Sequence, residues 1–305
     1  MGYANLSQVA REAGVSKTTA SLVINGKADQ VNIARATRDR VLEAARQLNY
    51  RPSRFMPGRL NGRTGLLEVI ASDFSYPSVS QWLSCLIRIA GEAGYTIIPR
   101  HVDERKTVED FYGIPADGVI FLNEGTVPEG LENIDLPFLC AGFREQGKNG
   151  KEVVPDSKAQ MTQLISALYK NNKRAIGFLT DSGYSSRERL QVYQENYCDR
   201  FGIPPNVAEV PWGNEQADVI GGCCHLWNNG ANGILFGNLE MAVEALSSKK
   251  VRELGERGVV LATCGYHPGF DMLPDRLLLH APDDIEEMAK SVVKKLTGYE
   301  SPPDE

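Results

Sequence analysis

LSQVAREAGVSKTTASLVINGK, residues 6–27, decides how this chain is read. Leu6, Val9, Ala10 and Ala13 recur at i, i+3, i+4 and i+7, which is one apolar face of a helix. Gly14 permits a tight turn, Val15 points inward, and Ser16 is placed to cap a second helix through its hydroxyl. In that helix Ala20, Val23 and Ile24 form the stripe to be buried. Lys17, Thr18, Ser21 and Leu22 stay on the outer face, and Asn25-Gly26 ends the run. A third helix carries Val41, Leu42, Ala45 and Leu48 inward and stops before Arg51-Pro52. Two short helices joined by a glycine-containing turn, with a third behind, predict a helix-turn-helix. Its second helix is narrow enough for the major groove of B-DNA. The outer residues are small or polar with one cation, which suits base edges better than a protein core. The alternative for the same pattern is a small helical cap domain.

Charge points the same way. Residues 1–63 hold eleven Lys and Arg against four acids (Glu12, Asp29, Asp39 and Glu43), a net of +7. The whole chain of 305 residues is −6, which leaves −13 on the remainder. A small basic head on a large acidic body predicts nucleic-acid contact by the head alone, with the body repelled by phosphates. Residues 51–64, RPSRFMPGRLNGRT, carry two prolines, two glycines and four arginines and read as a linker.

From Gly65 the pattern changes to apolar runs alternating with helical stretches. Strands are expected at 66–72, 95–100, 117–122 and 136–142, with a helix at 78–93. The rhythm then repeats. Helices at about 157–171, 186–201, 215–229 and 239–256 alternate with strands at 174–179, 207–210, 233–237 and 259–265. After a run at 277–281 comes a last helix at about 283–297. Alternation of this kind implies parallel sheets covered by helices on both faces. There are too many strands for one compact sheet, so two linked α/β subdomains are expected. Ligands would sit at the C-terminal ends of the strands or in the cleft between subdomains.

The order of parts resembles the LacI/GalR family of bacterial transcription regulators. The resemblance is carried by residues 6–27, by TRDRVLEAARQLNYRPSR (37–54) and, within the body, by short pieces such as DGVIFL, RLQVYQENY, FGNLEMAVEAL and CGYHPG. The wording TTASLVINGKADQ is most similar to the fructose-repressor branch. The resemblance implies a helix-turn-helix domain over 1–52, a hinge over 53–64 and an effector-binding and dimerisation domain over 65–305. The last would be a periplasmic-binding-protein-like pair of parallel-sheet α/β subdomains. It implies a homodimer or tetramer on a near-palindromic double-stranded DNA operator, with DNA affinity tuned by a small ligand, and a repressor role. Carried over by position, Lys17, Thr18 and Leu22 would face base edges. Ser16, Thr19, Ser21 and Asn25 would contact phosphates or frame the helix, and Leu6 and Ser7 would open the first helix at the DNA backbone. A leucine at position 22 can read a thymine methyl but cannot pair with guanine. Leu60 matches the hinge leucine that wedges a base step in the minor groove, although Pro57-Gly58 lies inside the expected hinge helix. A plain flexible linker is the alternative there.

For the effector, the resemblance places Arg189 as the ligand-binding arginine, Asn238 as a polar pocket residue that could also cap its helix, and Tyr76 at the cleft. Two acids that hold sugar hydroxyls in the family appear here as Gly142 and His267. The acid after the pocket asparagine is Leu239, and a glutamine before the last helix is Ala281. Losing acids while keeping an arginine predicts a less negative pocket. It points to a sugar or an anionic derivative such as a sugar phosphate, with Arg189 and His267 as donors. A degenerate pocket without ligand and a stand-alone sugar-type binding module are the alternatives. The family runs on through a further strand, whereas this sequence stops at Glu305. Either the chain is cut or the second subdomain is completed differently.

Other chemistries find less support. No apolar run reaches the ~18 residues of a membrane span, and the N-terminus lacks the apolar stretch of a signal peptide, so a cytoplasmic protein is expected. The six cysteines have no C-x-x-C pair, and Cys223-Cys224-His225 has no second cluster to complete a zinc site, so neither metal nor cofactor is expected. GFREQGKN (142–149) has P-loop spacing up to its lysine, but Asn149 replaces the magnesium-holding hydroxyl and a surface loop is expected. There is no H-E-x-x-H or G-x-S-x-G, and the four histidines are dispersed, so the chain does not read as an enzyme.

Overall fold

The computed structural model describes residues 6–24, 28, 31–48, 50, 63–101, 115–122, 127, 136–143, 151–211, 216–274 and 277–299. The chain divides into two compact units, Met1–Thr64 and Gly65–Glu305.

The first unit holds α1 (Leu6–Glu12), α2 (Lys17–Ile24) and α3 (Arg35–Gln47). Val9, Ala10, Ala13, Ala20, Val23, Val41, Ala44 and Ala45 make its core, with Leu6, Val15, Ile24 and Leu48 packed against it. The turn after α1 needs its glycine. Gly14 sits at φ 63°, in the left-handed region. There the Val15 N–H donates to Ala10 O at 2.9 Å and the Gly14 N–H to Arg11 O at 3.2 Å, which closes the helix end. One expectation is corrected. Leu42 is 39% exposed, because it lies about 100° round the helix from Val41, and Ala44 takes the inward place.

The second unit contains two parallel five-stranded sheets. The first comprises β1 (Leu66–Ala71), β2 (Thr96–His101), β3 (Gly118–Phe121), β4 (Phe138–Ala141) and β5 (Glu152–Val153), in the order β2-β1-β3-β4-β5. The second comprises β6 (Ile176–Thr180), β7 (Val207–Glu209), β8 (Gly233–Phe236), β9 (Val260–Cys264) and β10 (Leu278–Ala281), in the order β10-β9-β8-β6-β7. Central strands such as β1, β3, β6 and β8 are buried along their whole length, as strands covered on both faces must be.

The helices are α4 (Pro77–Glu92), α5 (Ser157–Lys170), α6 (Tyr184–Tyr193), α7 (Gln216–Asn228), α8 (Leu239–Ser247), α9 (Lys249–Glu256) and α10 (Ile285–Thr297). Three details depart from the sequence pattern. The helix expected over 239–256 is two helices, broken at Ser248, which is extended at φ −83°, ψ 128°. Arg252 satisfies the end of α8 by donating to Leu246 O at 2.6 Å and Ser247 O at 3.0 Å. The helix expected over 186–201 passes from α6 into a π-helical turn at Gln194–Asp199, which carries Tyr197 and Cys198 inward. The two-residue strand β5 has no counterpart in the sequence pattern. In addition, α10 packs on α4, β4 and β5, so the chain returns after β10 to finish the first sheet's core.

Candidate functional site

In the head, the Ser16 hydroxyl accepts from the Thr19 N–H at 3.0 Å and lies 2.8 Å from the Thr19 hydroxyl. This supplies a partner for one of the N–H groups left open at the start of α2. Lys17 and Thr18 are exposed on the first turn, and Ser21 and Leu22 are half-buried. Ser7 is exposed, whereas Leu6 packs on the core of the unit. Asn25 and Leu60 lie outside the described residues, as does the Pro57-Gly58 step.

In the second unit a cleft of about 370 Å³ opens where the strands of both sheets end. Tyr76 and Pro77 follow β1, Leu122 follows β3 and Gly142-Phe143 follow β4. Asp181 follows β6, Asn238 follows β8, Cys264 ends β9 and Asp283 follows β10. The C-terminal ends of parallel strands are where such folds leave room for a ligand. Tyr76, Arg189 and Asn238 therefore line one cavity.

Asn238 uses both ends of its amide. Its Oδ1 accepts from the Met241 N–H at 2.9 Å and caps α8, while its Nδ2 donates to Asp181 Oδ2 at 2.7 Å. Asp181 Oδ1 accepts from the Gly183 N–H at 3.0 Å. Arg189 is only 8% exposed. Its Nη1 donates to Gly237 O at 2.7 Å, and its buried Nε has no hydrogen-bond partner among the described residues.

Among the described residues, two residue pairs hydrogen-bond across the cleft between the subdomains. The Ser78 N–H, at 3.2 Å, and the Ser78 hydroxyl both donate to Glu240 Oε1, joining the first turns of α4 and α8. Gln81 Nε2 donates to Tyr266 O at 2.7 Å.

The charge expectation is reversed. Four carboxylates line the cleft, Asp181, Glu240, Glu244 and Asp283, against the single cation Arg189 among the described residues. Sequence comparison by position missed them because they stand in positions other than those the family's acids occupy. Asp181 and Asp283 follow strand ends and Glu240 opens α8, which was the signal available, whereas Glu244 lies one turn further along α8. Burial pushes the Asp283 carboxyl above its ordinary value, against the Gln160 hydrogen bond at 2.6 Å and the Arg189 charge, which pull it down. Burial likewise raises the Tyr76 hydroxyl, helped by the charges of Asp73, Glu240 and Asp181. Burial also raises the Cys264 thiol, keeping it a protonated and poor nucleophile.

His267 is a second correction. It is not among the residues lining the cleft. Its Nδ1 accepts from the Gly269 N–H at 3.1 Å and caps the 3-10 turn Pro268–Met272, with its ring 5.7 Å from that of Phe270. Gly142 has a steric reason to lack a side chain. At φ 85°, a Cβ there would meet Trp82 Nε1 at 2.5 Å. Cys223, Cys224 and His225 lie on α7 with graded exposure, and His225 Nε2 is 2.9 Å from Asn229 Nδ2.

Residues 5–53 match the family model of bacterial regulatory proteins, lacI family. The chain is 29% identical over 202 residues to the HTH-type transcriptional regulator pepR1 of Lactobacillus delbrueckii subsp. lactis, covering 63% of this chain and 60% of that protein. The chain thus spans less than two thirds of that relative's length. It is 38% identical over 93 residues to the catabolite repressor/activator of Escherichia coli K12, covering 30% of this chain and 28% of that protein. Among solved structures, the lac repressor dimer bound to operator and the anti-inducer ONPF superposes with a TM-score of 0.77 at 20% identity. That match covers 97% of this chain and 92% of that one. Residues 5–53 thus match the lacI-family model, and the whole chain shares the fold of the lac repressor.

Proposed function

We propose that this chain is a sequence-specific DNA-binding transcriptional regulator, acting as a repressor, whose DNA affinity is set by a small molecule in the cleft of its second unit. The observation that carries the reading is the Ser16-capped second helix, which leaves Lys17 and Thr18 exposed at its start, within a segment matching the lacI family. A homodimer on a near-palindromic operator goes with it, each head placing α2 in a major groove. Lys17, Thr18 and Leu22 then read base edges, while Ser7, Ser16, Thr19, Ser21 and Asn25 position the helix on the backbone and Leu60 wedges the minor groove. A cytoplasmic location fits a DNA-bound regulator. Among the described residues no helix is long and apolar enough to cross a membrane. The head's wording supports placing it with the fructose-repressor branch.

The cleft supports an effector role. Its volume of about 370 Å³ falls in the usual range of small-molecule sites, and Arg189 Nε is a buried donor with no acceptor among the described residues. A ligand bridging the two sheets would work with or against the Ser78–Glu240 and Gln81–Tyr266 contacts. It would shift the closed population and, through it, the DNA-competent one. Of the two effector classes expected, the four carboxylates favour a sugar over a sugar phosphate.

The test is selection of operator from random duplex by the full chain at physiological salt. A recovered near-palindrome, bound at least a thousandfold tighter than random duplex, is the expected result. Equal affinity for both would overturn the proposal.

A further inference from the structure

We infer that the effector carries a positive charge: an ammonium group seated against the α8 side of the cleft, where Glu240, Glu244 and Asp181 converge, with an oxygen of the same molecule accepting from Arg189 Nε. The inference rests on the effector reading above and narrows its ligand class to an amine-bearing hydroxyl or carbonyl compound.

Three observations carry it. First, Glu240 and Glu244 are four residues apart on α8 and so share a face, and Asp181 is tied to the start of that helix through Asn238. All three line the cavity, which holds one cation among the described residues. Second, they are not equally occupied. Asp181 accepts from the Gly183 N–H and Asn238, and Glu240 from Ser78. The Glu244 carboxylate makes no hydrogen bond or ion pair among the described residues. It is half-buried, and a cation would compensate it. Third, Arg189 is 8% exposed, lines the same cavity and leaves Nε without an acceptor among the described residues, so one cavity holds both an unmet donor and unmet negative charge. A neutral polyol answers only the donor, and a phosphate answers the donor while meeting the carboxylates as like charge. An ammonium with a neighbouring oxygen answers both.

Tyr76 and Trp82 line the same cavity, and aromatic faces favour a cation. Burial chiefly raises the pKa of the Tyr76 hydroxyl, and the charges of Asp73, Glu240 and Asp181 add to it.

The experiment is a binding panel on the full chain at fixed ionic strength, read by melting temperature and then by calorimetry. The probes are matched sets on one skeleton: D-glucosamine, D-glucose and D-glucose 6-phosphate, and the corresponding amine, alcohol and phosphate forms of pentoses and of linear C4–C6 diols. The expected result is stabilisation by amines, with the best amine at least tenfold tighter than its alcohol. Glu244→Gln should cost that amine at least tenfold while leaving the unliganded melting temperature unchanged. Arg189→Lys, which loses Nε, should weaken both the amine and its alcohol. Tighter binding by alcohols or phosphates, no stabilisation by any amine, or an amine affinity indifferent to Glu244→Gln would each overturn the inference. Operator selection on the same preparation separates the two readings. A neutral sugar that binds and alters operator affinity leaves the regulator standing and removes only the charged effector.

Discussion

Ser16 shows how much one hydroxyl does. It caps α2 through the Thr19 N–H and sits against the Thr19 side chain. Ser16→Ala should cost the head about 1 kcal/mol, read as a lower melting transition by circular dichroism, with operator affinity falling in parallel. An unchanged melt would show that the cap is not what holds α2. Asp283 is the opposite case, a group the fold holds at a cost. Its folded pKa lies above the unfolded value, so its favourable contribution is complete below the unfolded value of about 3.8 and is lost as pH rises through the folded one. Asp283→Asn keeps the Oδ1 acceptor for Gln160 and removes the charge. The variant should melt higher than the parent at pH 7, and the gap should close as pH falls toward 4. A lower melt at pH 7 would mean that the Arg189 attraction outweighs burial.

At the scale of elements, α10 is the instructive one. Ala289, Val292, Val293 and Leu296 join Leu67, Trp82, Leu86 and Ile89 in the first sheet's core. The amphipathic pattern of 283–297 shows that a helix forms and which face it buries, but not which sheet receives that face. Leu86 is fully buried on α4 in this cluster, and Leu86→Ala should cost about 2–5 kcal/mol by chemical denaturation, with α10 losing protection from hydrogen exchange as well. If α10 exchange stayed unchanged, the helix would not depend on this packing. The break at Ser248 was illegible for a related reason. Residues 239–256 contain no proline, and the interruption depends on Arg252 reaching back to the carbonyls of Leu246 and Ser247. Strand β5 is two residues long and exists only by pairing with β4, so no periodicity could announce it.

For the second unit as a whole, the question is what keeps its subdomains together. Ser78–Glu240 and Gln81–Tyr266 tie the first turns of α4 to the second sheet's side of the cleft. Each is worth about 1 kcal/mol net, small enough for a ligand to reinforce or override. Replacing both Ser78 and Gln81 by Ala should open the cleft. Small-angle scattering should then give a larger radius of gyration without ligand, and faster exchange should appear at the start of α4. An unchanged radius would place the control of closure elsewhere.

The sequence by itself pointed to the helix-turn-helix, to the alternation of strands and helices, and to Asn238 after β8, Tyr76 at the start of α4 and Arg189 on α6. These follow from local periodicity, from capping chemistry and from a pattern of residues readable in order. Only the tertiary structure decided the cleft's charge and the fate of His267. Asp181, Glu244 and Asp283 are far apart in sequence, and their effect is a sum over two strand ends and a helix face that only packing brings into one cavity. His267 lies two residues from the backbone N–H that claims its ring nitrogen, and a local turn won it before the cleft could. Charge at a site is a property of assembled space, whereas a helix face is a property of the order of residues.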